Sequence, residues 1–109
     1  MKKSVVITTQ FEAIHRWPDC DSAFVEFLEN SHRHIFHVTM KWEVIQNDRE
    51  IEFISKKREV TKFLRDTWEG RYFNYSCEDF AEVLLTRFNA SFVSVFEDGE
   101  NGAEVYYED

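Results

Sequence analysis

The chain has 109 residues, 43% of them hydrophobic, with one proline and three glycines; this suits one compact domain spanning 1–109 and is too little for two. Its formal charge is -8, from 21 acidic against 13 basic residues, a field that repels phosphate backbones and anionic bilayers, so neither nucleic acid nor membrane is expected as a partner. Cys20 and Cys77 make neither a disulfide framework nor a Cys-x-x-Cys knuckle, and no apolar run after Met1-Lys2-Lys3-Ser4 reaches membrane-spanning length; the expectation is a reduced, soluble, cytoplasmic chain.

The first run alternates. Val5, Ile7, Thr9, Phe11, Ala13 and His15 fall on one face of a strand and Val6, Thr8, Gln10, Glu12 and Ile14 on the other, which predicts a half-buried strand ending in a histidine. Trp17-Pro18-Asp19-Cys20-Asp21-Ser22 carries turn and capping residues, and 23–30 reads equally as a helical turn or a loop. A second alternating run puts His32, His34, Phe36, Val38, Met40, Trp42 and Val44 on the core side, with His37 on the opposite face at the surface or an interface.

A turn at Gln46-Asn47-Asp48-Arg49 leads into a short extended piece over 50–54. From Ser55, read as a cap, Val60, Phe63, Leu64 and Trp68 recur at helical spacing. A loop holding Gly70, Tyr72, Phe73, Asn74 and Tyr75 follows. Ser76 then caps a second helix with Glu78 and Asp79 in its first turn and Phe80, Ala81, Leu84 and Phe88 on its buried face. The end reads as a hairpin, 91–97 and 103–107 around a turn at Asp98-Gly99-Glu100-Asn101-Gly102.

The order β-β-α-α-β-β predicts an α+β domain, a four-stranded antiparallel sheet with two helices on one face. Aromatic residues make up 17% of the chain, and Phe92 and Phe96 fall on the face the helices leave uncovered, so burial against further copies of the chain is expected.

His32 and His34, two apart on one face of a strand, are candidate metal ligands, since neutral imidazole is the commonest protein ligand for zinc. A catalytic zinc takes three protein ligands, and His15, at the end of the other alternating run, is the best third. The spacing alone is weak, and a short strand carrying two histidines is more often a surface accident than a metal site.

These residues resemble a known family, the 6-pyruvoyltetrahydropterin and 6-carboxytetrahydropterin synthases, whose subunits have the T-fold. Phe11-Glu12-Ala13-Ile14-His15-Arg16 resembles the family's first histidine motif, and His32-Arg33-His34 its His-Gly-His, with Arg33 in place of glycine. Ser76-Cys77-Glu78-Asp79-Phe80-Ala81 is similar to the Thr-x-Glu-Asn segment that opens the second helix. Val93-Ser94-Val95-Phe96-Glu97 resembles the strand ending in a pterin-anchoring glutamate.

The resemblance implies zinc on His15, His32 and His34, with Glu97 and Glu78 on the substrate side. It also implies a trimeric or hexameric ring of subunits and activity on dihydroneopterin, its triphosphate or a related pterin, in tetrahydropterin, folate or 7-deazaguanine biosynthesis. Two positions depart from the family. Its catalytic cysteine precedes the paired histidines by four or six residues, where this chain has Leu28 and Glu26, so Glu26 takes the place of the base and Cys20 is the further candidate. Asp66 resembles the first member of the family's Asp-His pair, whose histidine has no counterpart here. A catalytically inactive T-fold protein that sequesters a pterin, purine or nucleotide in the intersubunit pocket is the alternative.

Overall fold

Two long alternating strands set the frame of the chain, whose computed structural model describes residues 1–15 and 32–108. β1 (Lys3–His15) and β2 (His32–Val44) pair antiparallel along their whole length, from Lys3 opposite Val44 to His15 opposite His32. Between β2 and the final hairpin come α1 (Phe53–Thr67), the two-residue β3 (Tyr72–Phe73) and α2 (Cys77–Arg87); β4 (Phe92–Glu97) and β5 (Asn101–Tyr106) close the chain. The sheet order is β3-β1-β2-β4-β5, with β4 antiparallel to β2 and β5 antiparallel to β4.

The α+β class with two helices is as the sequence predicts, but the sheet has five strands rather than four. The addition is β3, which runs parallel to β1 with Ile14 opposite Tyr72 and His15 opposite Phe73. Its origin is local anchoring of the loop after α1: Gly70 N donates to Glu12 O at 2.7 Å, Ile14 N to Arg71 O at 2.9 Å and Glu12 N to Glu69 Oε2 at 2.9 Å. The free edge of β1 near His15 thereby acquires a partner for its backbone groups.

Alternation decides which side of the sheet is dry. Ile7, Phe11, Ala13 and His15 of β1, Phe36, Val38, Met40 and Trp42 of β2, and Val93 and Val95 of β4 are buried, and the helices cover them with Val60, Leu64, Phe80, Ala81, Leu84 and Leu85. Trp42 meets the end of α2, where its indole donates to Phe88 O at 3.0 Å, so the buried N–H is satisfied. His37 lies on the opposite face and is exposed, as its parity predicts.

Phe92 stacks on Tyr106 on that outer face, with rings 5.9 Å apart and Lys41 above the Phe92 ring. The Phe96 ring closes over Gly102, where an added Cβ would sit 2.7 Å from Phe96 Cδ1 and 2.1 Å from Val95 O, so a side chain cannot stand there.

Both helix starts rest on side-chain oxygens. Ser76 caps α2 in a full capping box with Asp79: Asp79 N donates to Ser76 Oγ at 3.1 Å and Ser76 N to Asp79 Oδ2 at 3.0 Å. α1 begins three residues earlier than the sequence suggests, because Glu52, not Ser55, is its cap and accepts from Ile54 N and Ser55 N at 3.0 and 2.7 Å. Phe53 and Ile54 are therefore helical rather than extended. These hydrogen bonds hold the Glu52 carboxyl below the ordinary carboxylate range.

Removing the box at α2 has a defined expected cost. Ser76→Ala should lose about 1 kcal/mol in a urea unfolding experiment, the usual worth of a serine cap. A loss below about 0.3 kcal/mol would show that packing of Phe80 and Leu84 alone holds the first turn.

Candidate metal centre

Where β1, β2 and β4 end together, their inward faces stop being apolar. Position 15 continues the buried side of β1, position 34 that of β2 and position 97 that of β4, with Glu97 opposite Phe36 in the ladder. One donor atom from each of His15, His34 and Glu97 lies within 4.8 Å of the other two, a spacing at which one metal ion can be shared.

An aromatic floor lies beneath these groups. Phe36 stacks on Phe11 at 5.0 Å and meets Phe80 at 5.1 Å, while Trp68, Phe73 and Tyr75 pack around Phe80. Both imidazoles stand edge-on to Phe36, His15 at 6.0 Å and His34 at 6.2 Å between centroids, and the two histidine rings are 6.2 Å apart. The site is therefore walled by hydrocarbon on its inner side, where charge–charge and metal–ligand interactions are less screened than in water.

His15 is 9% exposed. Its Nδ1 is buried and 3.1 Å from Glu97 Oε1, a close ionic contact, yet it makes no well-directed hydrogen bond among the described residues. A buried ring nitrogen left so is costly unless a further partner meets it. The neighbouring carboxylate raises the His15 pKa above its usual value, chiefly through the Glu97 contact, against burial, with help from the Tyr75 backbone. The same contact holds the Glu97 carboxyl below the ordinary range although burial opposes it.

His34 Nδ1 is 2.8 Å from Asp98 Oδ2, and Asp98 Oδ1 accepts from Ile35 N at 3.1 Å. Asp98 is thus a member of the site that the sequence placed simply in a turn. Its position was not readable because it depends on which β2 residue the end of β4 meets.

The other expected site residues divide. The backbone of His32 lies directly opposite that of His15. Glu26 and Cys20 lie outside the described residues. Glu78 is exposed in the first turn of α2, and its charge, with that of Glu97, acts on Cys77. Asp66 is engaged elsewhere: it pairs with Lys62 Nζ at 2.6 Å and lines an open groove of about 1220 Å³ between the helices. The Cys77 thiol, half-buried, is pushed up to about 12 by burial and by those two carboxylates, so it stays protonated and unreactive near neutral pH.

Two imidazoles and a carboxylate are the donor types zinc takes, and their donor atoms lie close enough together to share one ion; the residues fit a divalent transition metal. No family model and no curated protein matches the chain. Among solved structures, an uncharacterized protein from Wolinella succinogenes has the same fold, with a TM-score of 0.85 over 99% of this chain and 99% of that one at 13% identity. At that identity the likeness speaks for the architecture alone. No helix among the described residues is long and apolar enough to cross a membrane.

The coupling of His15 to Glu97 predicts a pH signature in chelator-treated protein. His15 has a raised folded pKa, so its contribution is complete below its unfolded value of 6.5 and is lost as pH rises through the folded one. Glu97 has a lowered pKa, so its contribution is complete above its unfolded value of 4.5 and is lost on acidification. The difference in Tm between wild type and Glu97→Gln should therefore be largest at roughly pH 5.5 and shrink by about pH 8.5. A difference that grows from the first pH to the second contradicts the pairing.

Proposed function

We propose that the chain is a zinc protein with a T-fold subunit, related to the 6-pyruvoyl- and 6-carboxytetrahydropterin synthases, acting on dihydroneopterin, its triphosphate or a similar heterocycle. The observation that carries this reading is the meeting of His15, His34 and Glu97 at one end of the sheet, in the chain order of the family's motifs. The order of strands and helices supports the T-fold, with β3 as an edge addition.

In this reading His15, His34 and His32 hold the ion. Glu97, already at His15, either completes the metal's coordination or accepts from the N–H pair of a pterin ring, as a carboxylate can with two parallel hydrogen bonds. Bound zinc would supply Lewis-acid polarisation of a side-chain oxygen of the substrate. The remaining task, proton removal from carbon, falls to Glu26, with Cys20 as the other candidate. The aromatic floor excludes water from the inner side of the site.

A second reading, a T-fold protein that binds its heterocycle without turning it over, is favoured by a specific observation. Asp66 is paired with Lys62 rather than gathered at the histidines, so the family's relay has no member at the site among the described residues. Assembly into a trimer or hexamer belongs to both readings and is supported by the outer-face aromatics and by exposed Val6 and Ile35.

Protein purified without chelator should carry about one zinc per chain by plasma mass spectrometry, most of it lost in His34→Ala and retained in His37→Ala. With dihydroneopterin triphosphate as substrate, Glu26→Gln should lower turnover roughly a hundredfold with zinc content unchanged. Metal-free wild-type protein ends the zinc reading. Binding of pterin without turnover, abolished by Glu97→Ala, selects the second reading.

A further inference from the structure

Glu97 and Asp98 are neighbours in sequence, and on a regular strand they would point to opposite faces of the sheet. Here one meets His15 and the other His34, 3.1 and 2.8 Å away. The backbone explains how. Asp98 is at φ 53°, a left-handed conformation that aspartate tolerates better than most residues, and Gly99 follows at φ 73°. The chain thus leaves β4 by turning at Asp98, and the alternation is broken at the residue where it would have sent the second carboxylate away.

Asp98 is also clamped. Its N–H donates to Ile35 O at 2.7 Å, and its Oδ1 accepts from Ile35 N at 3.1 Å, so main chain and side chain both grip the same residue of β2. With one carboxylate oxygen fixed by Ile35, the other is presented to His34 Nδ1 at 2.8 Å. An ionised carboxylate accepts and cannot donate, so the hydrogen in this contact belongs to the ring.

We propose that Asp98 is a positioning residue that holds His34 as the Nδ1–H tautomer, so that Nε2, the buried ring nitrogen, carries the lone pair offered to the shared site. A carboxylate behind a histidine ligand fixes ring orientation and raises ligand basicity, and its loss commonly lowers metal affinity 10- to 100-fold. The metal consequence rests on the zinc reading above, whereas the tautomer is a property of the chain without metal. Asp98 therefore acts through His34 and does not itself touch metal or substrate.

The test substitutes Asp98→Asn, which keeps the size of the side chain and the oxygen that accepts from Ile35 N, but turns an amide N–H toward His34 Nδ1. Imidazole ¹⁵N spectra of intact, chelator-treated protein should show His34 as the Nδ1–H tautomer in wild type and shifted toward Nε2–H in the variant. Wild-type protein with His34 in the Nε2–H form overturns the proposal without recourse to any variant. An unaltered tautomer in a folded Asp98→Asn protein overturns it too.

Zinc titrated against a chromophoric chelator should then bind the variant about 10- to 100-fold more weakly than wild type. Equal affinity in the two proteins removes the positioning role. If wild-type protein takes no zinc, the metal reading falls, and the tautomer spectra decide the proposal by themselves.

Discussion

The pairing of β1 with β2 is the constraint on which the rest depends. Its register sets Ala13 opposite His34 and His15 opposite His32, so a small side chain lies opposite the His34 imidazole and the two strands deliver His15 and His34 to one end of the inner face. A slip of one residue would send every inward side chain of one strand to the other face, removing Phe11 or Phe36 from the core together with its histidine. Stability and site are therefore specified by the same alignment. The floor of Phe11, Phe36 and Phe80 could not be lost without moving the groups it supports.

That shared dependence has an energetic side. Burying an imidazole and a carboxylate is unfavourable unless each finds a counter-charge or a ligand. The chain meets the requirement by closing three strands onto one point, where β4 brings Glu97 to His15 and the turn after it brings Asp98 to His34. Three aspects of sequence converge there: the parity of β1 and β2, the parity of β4, and a residue able to adopt positive φ. The apolar packing that surrounds them supplies the cohesion, so the polar groups need contribute little to net stability.

What could be read from sequence was what local chemistry decides. Alternation assigned the inner and outer residues of β1 and β2, including His37 to the outside, and Ser76 as a cap marked the start of α2. Helical spacing found Val60, Leu64 and Trp68 as a buried stripe. What escaped depends on partners distant in sequence. Glu52 outcompetes Ser55 as the cap of α1, because its longer side chain reaches back to two N–H groups. β3 exists through bonds from residues 69–71 to Glu12 and Ile14, more than fifty positions earlier. Asp98 gains its role from meeting Ile35 and His34, which a single sequence does not encode as a pattern.

The claim at the centre of this account is that His15 and His34 share one metal ion, with Glu97 beside it. Anomalous diffraction from crystals grown with zinc, collected on both sides of its absorption edge, tests it most directly. The account predicts one strong anomalous peak per chain, about 2.0–2.1 Å from His34 Nε2 and from a nitrogen of His15. A zinc peak elsewhere on the chain, or none at these residues in the presence of excess zinc, would contradict it.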